Sequence, residues 1–154
     1  MKYLAIVAAA VALTGCATQQ ALNKPTASGN AEVFIPFVNT EQVRDDLVLR
    51  CAEMGGSANV SSNTVACKMQ MQGMQAALTQ TLIGNSYSTT PEVSIQFTFA
   101  KQNHGVFLTA YQMVETQMAF GQVRSQRLTG NNVQNETQAA LERVRTRLAP
   151  PDAQ

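Results

Sequence analysis

The chain has 154 residues, 45% of them hydrophobic, which suits one folded domain with its own core. Charged residues make up only 14%, against roughly 25% in ordinary domains, and Gln, Asn, Thr and Ser supply the polar surface instead. The formal net charge is +1, which excludes the electrostatic footprint of a nucleic-acid binder and any strong long-range pull on an anionic membrane.

Met1 and Lys2 give a short positive start, and Tyr3 to Leu13 is an unbroken run of apolar and small residues. Such a run is too short to span a hydrocarbon core of roughly 30 Å, which needs about 20 helical residues. It matches the apolar core of a secretion signal. The run ends in Leu13-Thr14-Gly15-Cys16. These four residues resemble the lipobox of bacterial lipoproteins. The resemblance covers the first sixteen residues and implies that residues 1–15 are removed and that Cys16 is acylated. Removal of Lys2 leaves the mature chain close to neutral. Position 17 is Ala rather than Asp, and the family's sorting rule then implies the outer membrane, with the domain in the periplasm. Multiple acyl chains make such an anchor durable, because each buried methylene contributes about 0.8 kcal/mol.

Residues 16–30 read as a lipidated N-terminus and flexible tether, polar and without apolar period. Ala31 to Val38 alternates Val33, Ile35 and Phe37 against Glu32, Phe34 and Pro36, a first strand that Pro36 places at an edge or bulge. Asn39 or Thr40 caps a helix running to about Met54, and Gly55-Gly56 stops it. Asn59 to Ser61 and Thr64 to Gln72 form a hairpin around Ser62-Asn63. Met74, Leu78 and Leu82 keep helical spacing, so Met74 to Ile83 reads as a short helix.

Glu92 to Ala100 carries Val93, Ile95, Phe97 and Phe99 on one face and Ser94, Gln96 and Thr98 on the other, the clearest strand in the chain. A turn at Gln102-Asn103-His104-Gly105 leads to a partner strand from Val106 to about Gln117. That strand is apolar on both faces, with Phe107, Tyr111 and Met113 on one and Val106, Leu108 and Val114 on the other. It is either covered twice or leaves a face for a partner, and Val106, Leu108 and Val114 are the candidate partner surface. Met118 to Leu128 reads as a continuation of the strand after a bulge. A last helix opens at Asn131 or Asn135, points Val133, Thr137, Leu141, Val144 and Leu148 inward, and ends at Ala149-Pro150-Pro151. Residues 150–154 read as a disordered tail.

The order is therefore β-α-β-β-α-β-β-α. This is an α+β fold, an antiparallel sheet with helices on one face, in a single periplasmic domain over residues 31–149.

With Cys16 assigned to the anchor, Cys51 and Cys67 remain. Val43, Leu47, Cys51 and Met54 form one helical stripe, and Val65, Cys67, Met69 and Met71 one face of a strand. Packing that helix on that strand brings the sulfurs together, and an oxidising periplasm makes them a disulfide. No CxxC spacing offers a redox or metal pair.

Signals of catalysis are missing. His104, the single histidine, sits in a turn. Asp45 and Asp46 are neighbours on a helix and point different ways, so they read as partners of the helix dipole. No Walker loop, HExxH, GxSxG or SxxK occurs. Arg124, Arg127, Arg143, Arg145 and Arg147 make the last third basic and read first as solvated surface, with a patch for an acidic partner or headgroups as the sharper reading, while Met69, Met71, Met74, Met113 and Met118 read first as core filling, with an adaptable binding surface as the alternative. The expectation is a non-enzymatic outer-membrane lipoprotein, without cofactor or metal, that binds another envelope protein. The alternatives are a ligand- or lipid-binding module using a groove between helices and sheet, a phage- or plasmid-type exclusion lipoprotein, or, less favoured, a cell-wall hydrolase.

Overall fold

The computed structural model describes residues 20–73, 79, 82–84 and 89–150. Cys16, the signal and most of the expected Met74–Ile83 helix lie outside these residues. Among the described residues are six strands and two long helices: β1 (Ala31–Pro36), α1 (Thr40–Glu53), β2 (Ser57–Val60), β3 (Thr64–Gln70), β4 (Glu92–Gln102), β5 (Gly105–Gln117), β6 (Val123–Arg127) and α2 (Asn131–Leu148). The sheet is antiparallel throughout, in the order β1-β5-β4-β3-β2. The expected α+β class, with both helices on one face, is what the molecule has.

β5 organises the sheet. One of its edges pairs with β4 along the whole of β4. Its other edge is divided: β1 takes Gly105–Ala110 and β6 takes Met113–Gln117. The segment after β5 therefore turns back rather than extending the strand past a bulge. Phe120 and Gly121 both take positive φ (66° and 77°), and Met118 N–H donates to Gln122 O across the reversal. The sequence Val123-Arg-Ser-Gln-Arg127 has no apolar alternation to announce a strand, and all five residues are exposed.

Local chemistry sets the helix ends. Asn39 and Gln42 form a reciprocal capping box at the start of α1, each side chain bonding the other's backbone N–H at 2.9 Å. The two glycines after α1 do different work. Gly55 takes a φ of +74° that turns the chain. Gly56 leaves space: a Cβ there would stand 3.0 Å from the sulfurs of both Cys51 and Cys67.

The core lies between the helices and the near face of the sheet. Val33, Ile35, Val65, Cys67, Phe97, Phe99, Val106, Leu108 and Ala110 rise from the strands to meet Val43, Leu47, Cys51, Leu141 and Val144. Val106 and Leu108 are fully buried and Val114 is 5% exposed. These three residues are therefore core, not a free partner surface. The face of β5 turned away from α1 and α2 is the other one, with Phe107, Tyr111 and Met113 half-buried and Phe34 of β1 exposed beside Phe107.

Candidate functional site

α1 and α2 lie side by side on the sheet without closing over it. They are pinned together at one point. Arg147 of α2 donates two hydrogen bonds to the Asp46 carboxylate of α1, at 2.7 and 3.2 Å, and Arg50 approaches the same carboxylate at 3.7 Å. Asp46 is 10% exposed, so the clamp is partly desolvated. The adjacent aspartates thus have separate fates: Asp46 bridges the helices, and Asp45 is a surface partner of Arg44.

From this clamp a groove of about 350 Å³ runs between the helices. Its walls are the α1 residues beyond Asp46 (Leu47, Arg50, Cys51, Glu53, Met54) and the α2 residues before Arg147 (Glu136, Ala140, Arg143, Val144). Cys67, Ile95, Phe97 and Gln112 of the sheet form the floor. Ile95 points to the helix side of the central strand β4 and is still partly accessible. The volume falls within the range of roughly 300–1,000 Å³ typical of small-molecule sites, and the mix of apolar floor and few polar groups is also typical.

Each wall has its own fastening. Cys51 and Cys67 are joined by a disulfide (S–S 2.09 Å) between α1 and β3, as the sequence pattern indicates. Amide side chains secure α2. Gln138 accepts from Glu32 N–H at 2.9 Å and donates to Glu32 O at 3.0 Å, pairing with β1 as a strand would. Thr137 accepts from Gln112 Nε2 at 3.0 Å. Asn135 accepts from Asn23 N–H at 2.8 Å and donates to Ala21 O at 2.9 Å, while Asn131 donates to Gln20 O at 2.8 Å.

Lys24 adds an ion pair to Glu142. Burial alone would push the Glu142 carboxyl up, but hydrogen bonds from Lys24 and Gln138 and the charges of Lys24 and Arg145 outweigh it and hold the group below its ordinary range. The expected flexible tether is consequently docked along α2 over residues 20–24, because asparagine side chains on the helix satisfy its backbone groups and Lys24 pairs with Glu142.

The remaining sequence candidates separate. His104 is an exposed turn residue whose carbonyl accepts from Phe37 N–H. Met69 packs against the core, whereas Met113 lies on the far face of the sheet. Arg145 pairs with Glu142, and Arg127 stacks 4.8 Å from the Tyr111 ring. Arg143 stands exposed on the groove rim and makes no ion pair among the described residues.

On the far face Lys68 pairs with Glu115, and chiefly this hydrogen bond raises the Lys68 pKa. Among the described residues no group of three or more His, Cys, Asp or Glu side chains converges as a metal site, and no helix is long and apolar enough to cross a membrane. The chain matches no family model, no curated protein and no solved structure.

Proposed function

We propose that this chain is a non-catalytic lipoprotein, held in the outer membrane by acylated Cys16, whose periplasmic domain works by binding. The Leu13-Thr14-Gly15-Cys16 motif supports the anchor. One observation carries the binding reading: a groove with an apolar, partly accessible floor between two helices bridged at one end by the Asp46–Arg147 clamp. A core sealed by its helices would offer no such site. The groove favours a small ligand or lipid. The alternative, capture of another envelope protein, draws support from the sheet face turned away from α1 and α2, which carries Phe34, Phe107, Tyr111 and Met113.

Two measurements test this. Radiolabelled palmitate enters the wild-type chain and not Cys16→Ser; equal labelling of both removes the anchor. A photoreactive amino acid at Met54, on the groove rim, is compared with one at Tyr111 on the far face, in intact cells. Low-mass adducts from Met54 support the groove as a ligand site. A discrete protein adduct from Tyr111 alone moves the function to the partner reading. No adduct from either position overturns the binding role.

A further inference from the structure

We infer that the groove between α1 and α2 takes the hydrocarbon chain of a single-chain amphiphile with a negatively charged head, and that Arg143 anchors the head. The inference rests on the groove being the binding site and names the chemistry of its ligand.

The interior of the groove selects against peptides. Leu47, Cys51, Cys67, Ile95, Phe97 and Val144 are apolar or disulfide-bonded, and Gln112 is the one polar side chain on the floor. Its Nε2 already donates to Thr137 Oγ1. A peptide would bury N–H and C=O groups there without partners, which is unfavourable. A hydrocarbon chain brings no such groups and gains from leaving water.

The charges on the rim select the head. Arg50 is held by Glu53 and Asp46, and Arg147 by Asp46. Arg143 is left exposed and without an ion pair among the described residues, directly beside the apolar Val144. The other rim carboxylate is Glu136, two turns earlier on α2, about 10 Å along the helix axis. A guanidinium over an apolar trough complements an acidic head on an alkyl chain, since it offers paired donors to carboxylate or phosphate oxygens.

The place of Cys16 in the sequence points the same way. Gln20 is tied to Asn131, one and a half turns before Glu136 on the same helix. Gln20 stands four positions after Cys16, a reach of at most about 14 Å. Acylation of Cys16 therefore sets the Glu136 end of the groove, away from the clamp, close to the bilayer, where amphiphiles are found.

The test uses the intact lipoprotein in nanodiscs of neutral phosphatidylcholine, exposed to dodecyl compounds with a diazirine on the chain and a phosphate, carboxylate, glucoside or trimethylammonium head. Adducts are mapped by mass spectrometry. The expected result is labelling of peptides from 47–54 and 140–147, at least tenfold stronger with the two acidic heads than with trimethylammonium. Arg143→Ala removes that preference and Arg143→Lys retains most of it, while both variants keep the Cys51–Cys67 bond under non-reducing conditions. Equal groove labelling by all four heads overturns the acidic-head assignment and leaves the groove as a binding site. Competition by butyl phosphate as strong as by unlabelled dodecyl phosphate shows a simple anion site and overturns the role of the chain. No groove labelling by any probe overturns this inference together with the groove reading.

Discussion

The two walls of the groove are equally regular helices fixed to the sheet by opposite means. α1 carries Val43 and Leu47 into the core and is tied to β3 by a covalent bond at Cys51. α2 buries Leu141 and Val144 but also Asn135, Thr137 and Gln138, and most of its specific attachments are amide hydrogen bonds to β1, Gln112 and the N-terminal segment. The first wall depends on the redox state of its surroundings. The second depends on hydrogen-bond geometry and, through Glu142, on protonation. Where a helix must lie beside a sheet without sealing it, apolar packing alone gives no reason to stop short of closure. Directional attachments on both sides hold the two helices apart.

That contrast can be broken one wall at a time. The largest effect is expected from Cys51→Ser with Cys67→Ser. The cysteines are 16 residues apart, and releasing a loop of that size costs about 3 kcal/mol in the chain-entropy model. Urea denaturation should show the loss, and a reductant should reproduce it in the wild type and do nothing further to the variant. Gln138→Ala comes next. It leaves the part-buried Glu32 backbone groups without their partner, at the lower end of about 1–3 kcal/mol, and hydrogen exchange should rise at the Glu32 amide and not in β3. An unchanged Glu32 amide would remove the strand-like role of Gln138.

The clamp ranks third. A double-mutant cycle of Asp46→Asn and Arg147→Gln should give a coupling of about 1 kcal/mol, read from thermal melts, with both single variants still forming the disulfide. Smallest is the pH effect. The Glu142 carboxyl is held below its ordinary value in the fold, so its contribution is complete above the ordinary carboxylate range and is lost as pH falls through the folded value. Amide exchange at Asn23 should accelerate on that acid side and be insensitive to it in Glu142→Gln. The Lys68–Glu115 pair on the far face has the opposite sign: the raised lysine contributes below its ordinary value and loses that contribution only as pH rises through the folded one.

Much of the framework was legible in the sequence because it follows a period. The alternation of Val93, Ile95, Phe97 and Phe99 marks β4, and the stripe Val43, Leu47, Cys51 crossed with Val65, Cys67, Met69 brings the two sulfurs together. Period does not say which of two apolar faces the helices cover. Val106, Leu108 and Val114 look as available in the sequence as Phe107, Tyr111 and Met113, and only the placement of α1 and α2 distinguishes them. β6 escaped because Val123-Arg-Ser-Gln-Arg127 is polar on both sides and gains its place from the Phe120-Gly121 reversal. Asn135 and Gln138 resemble solvent-facing helix residues, yet they are buried because backbone groups of other segments need partners. The groove itself is a separation between elements, which no single element's pattern encodes.

The amide pairing of Gln138 with Glu32 has a consequence for the molecule in a crowded compartment. A terminal strand with free main-chain groups is a template for a strand from a neighbouring copy, and such addition is how sheets grow into aggregates. On β1 the N–H and C=O of Glu32 are already occupied, and Pro36 has no N–H to offer. Growth of the sheet from that border is hindered near both ends of β1, by one side chain at Glu32 and one imino acid at position 36, without a covering strand.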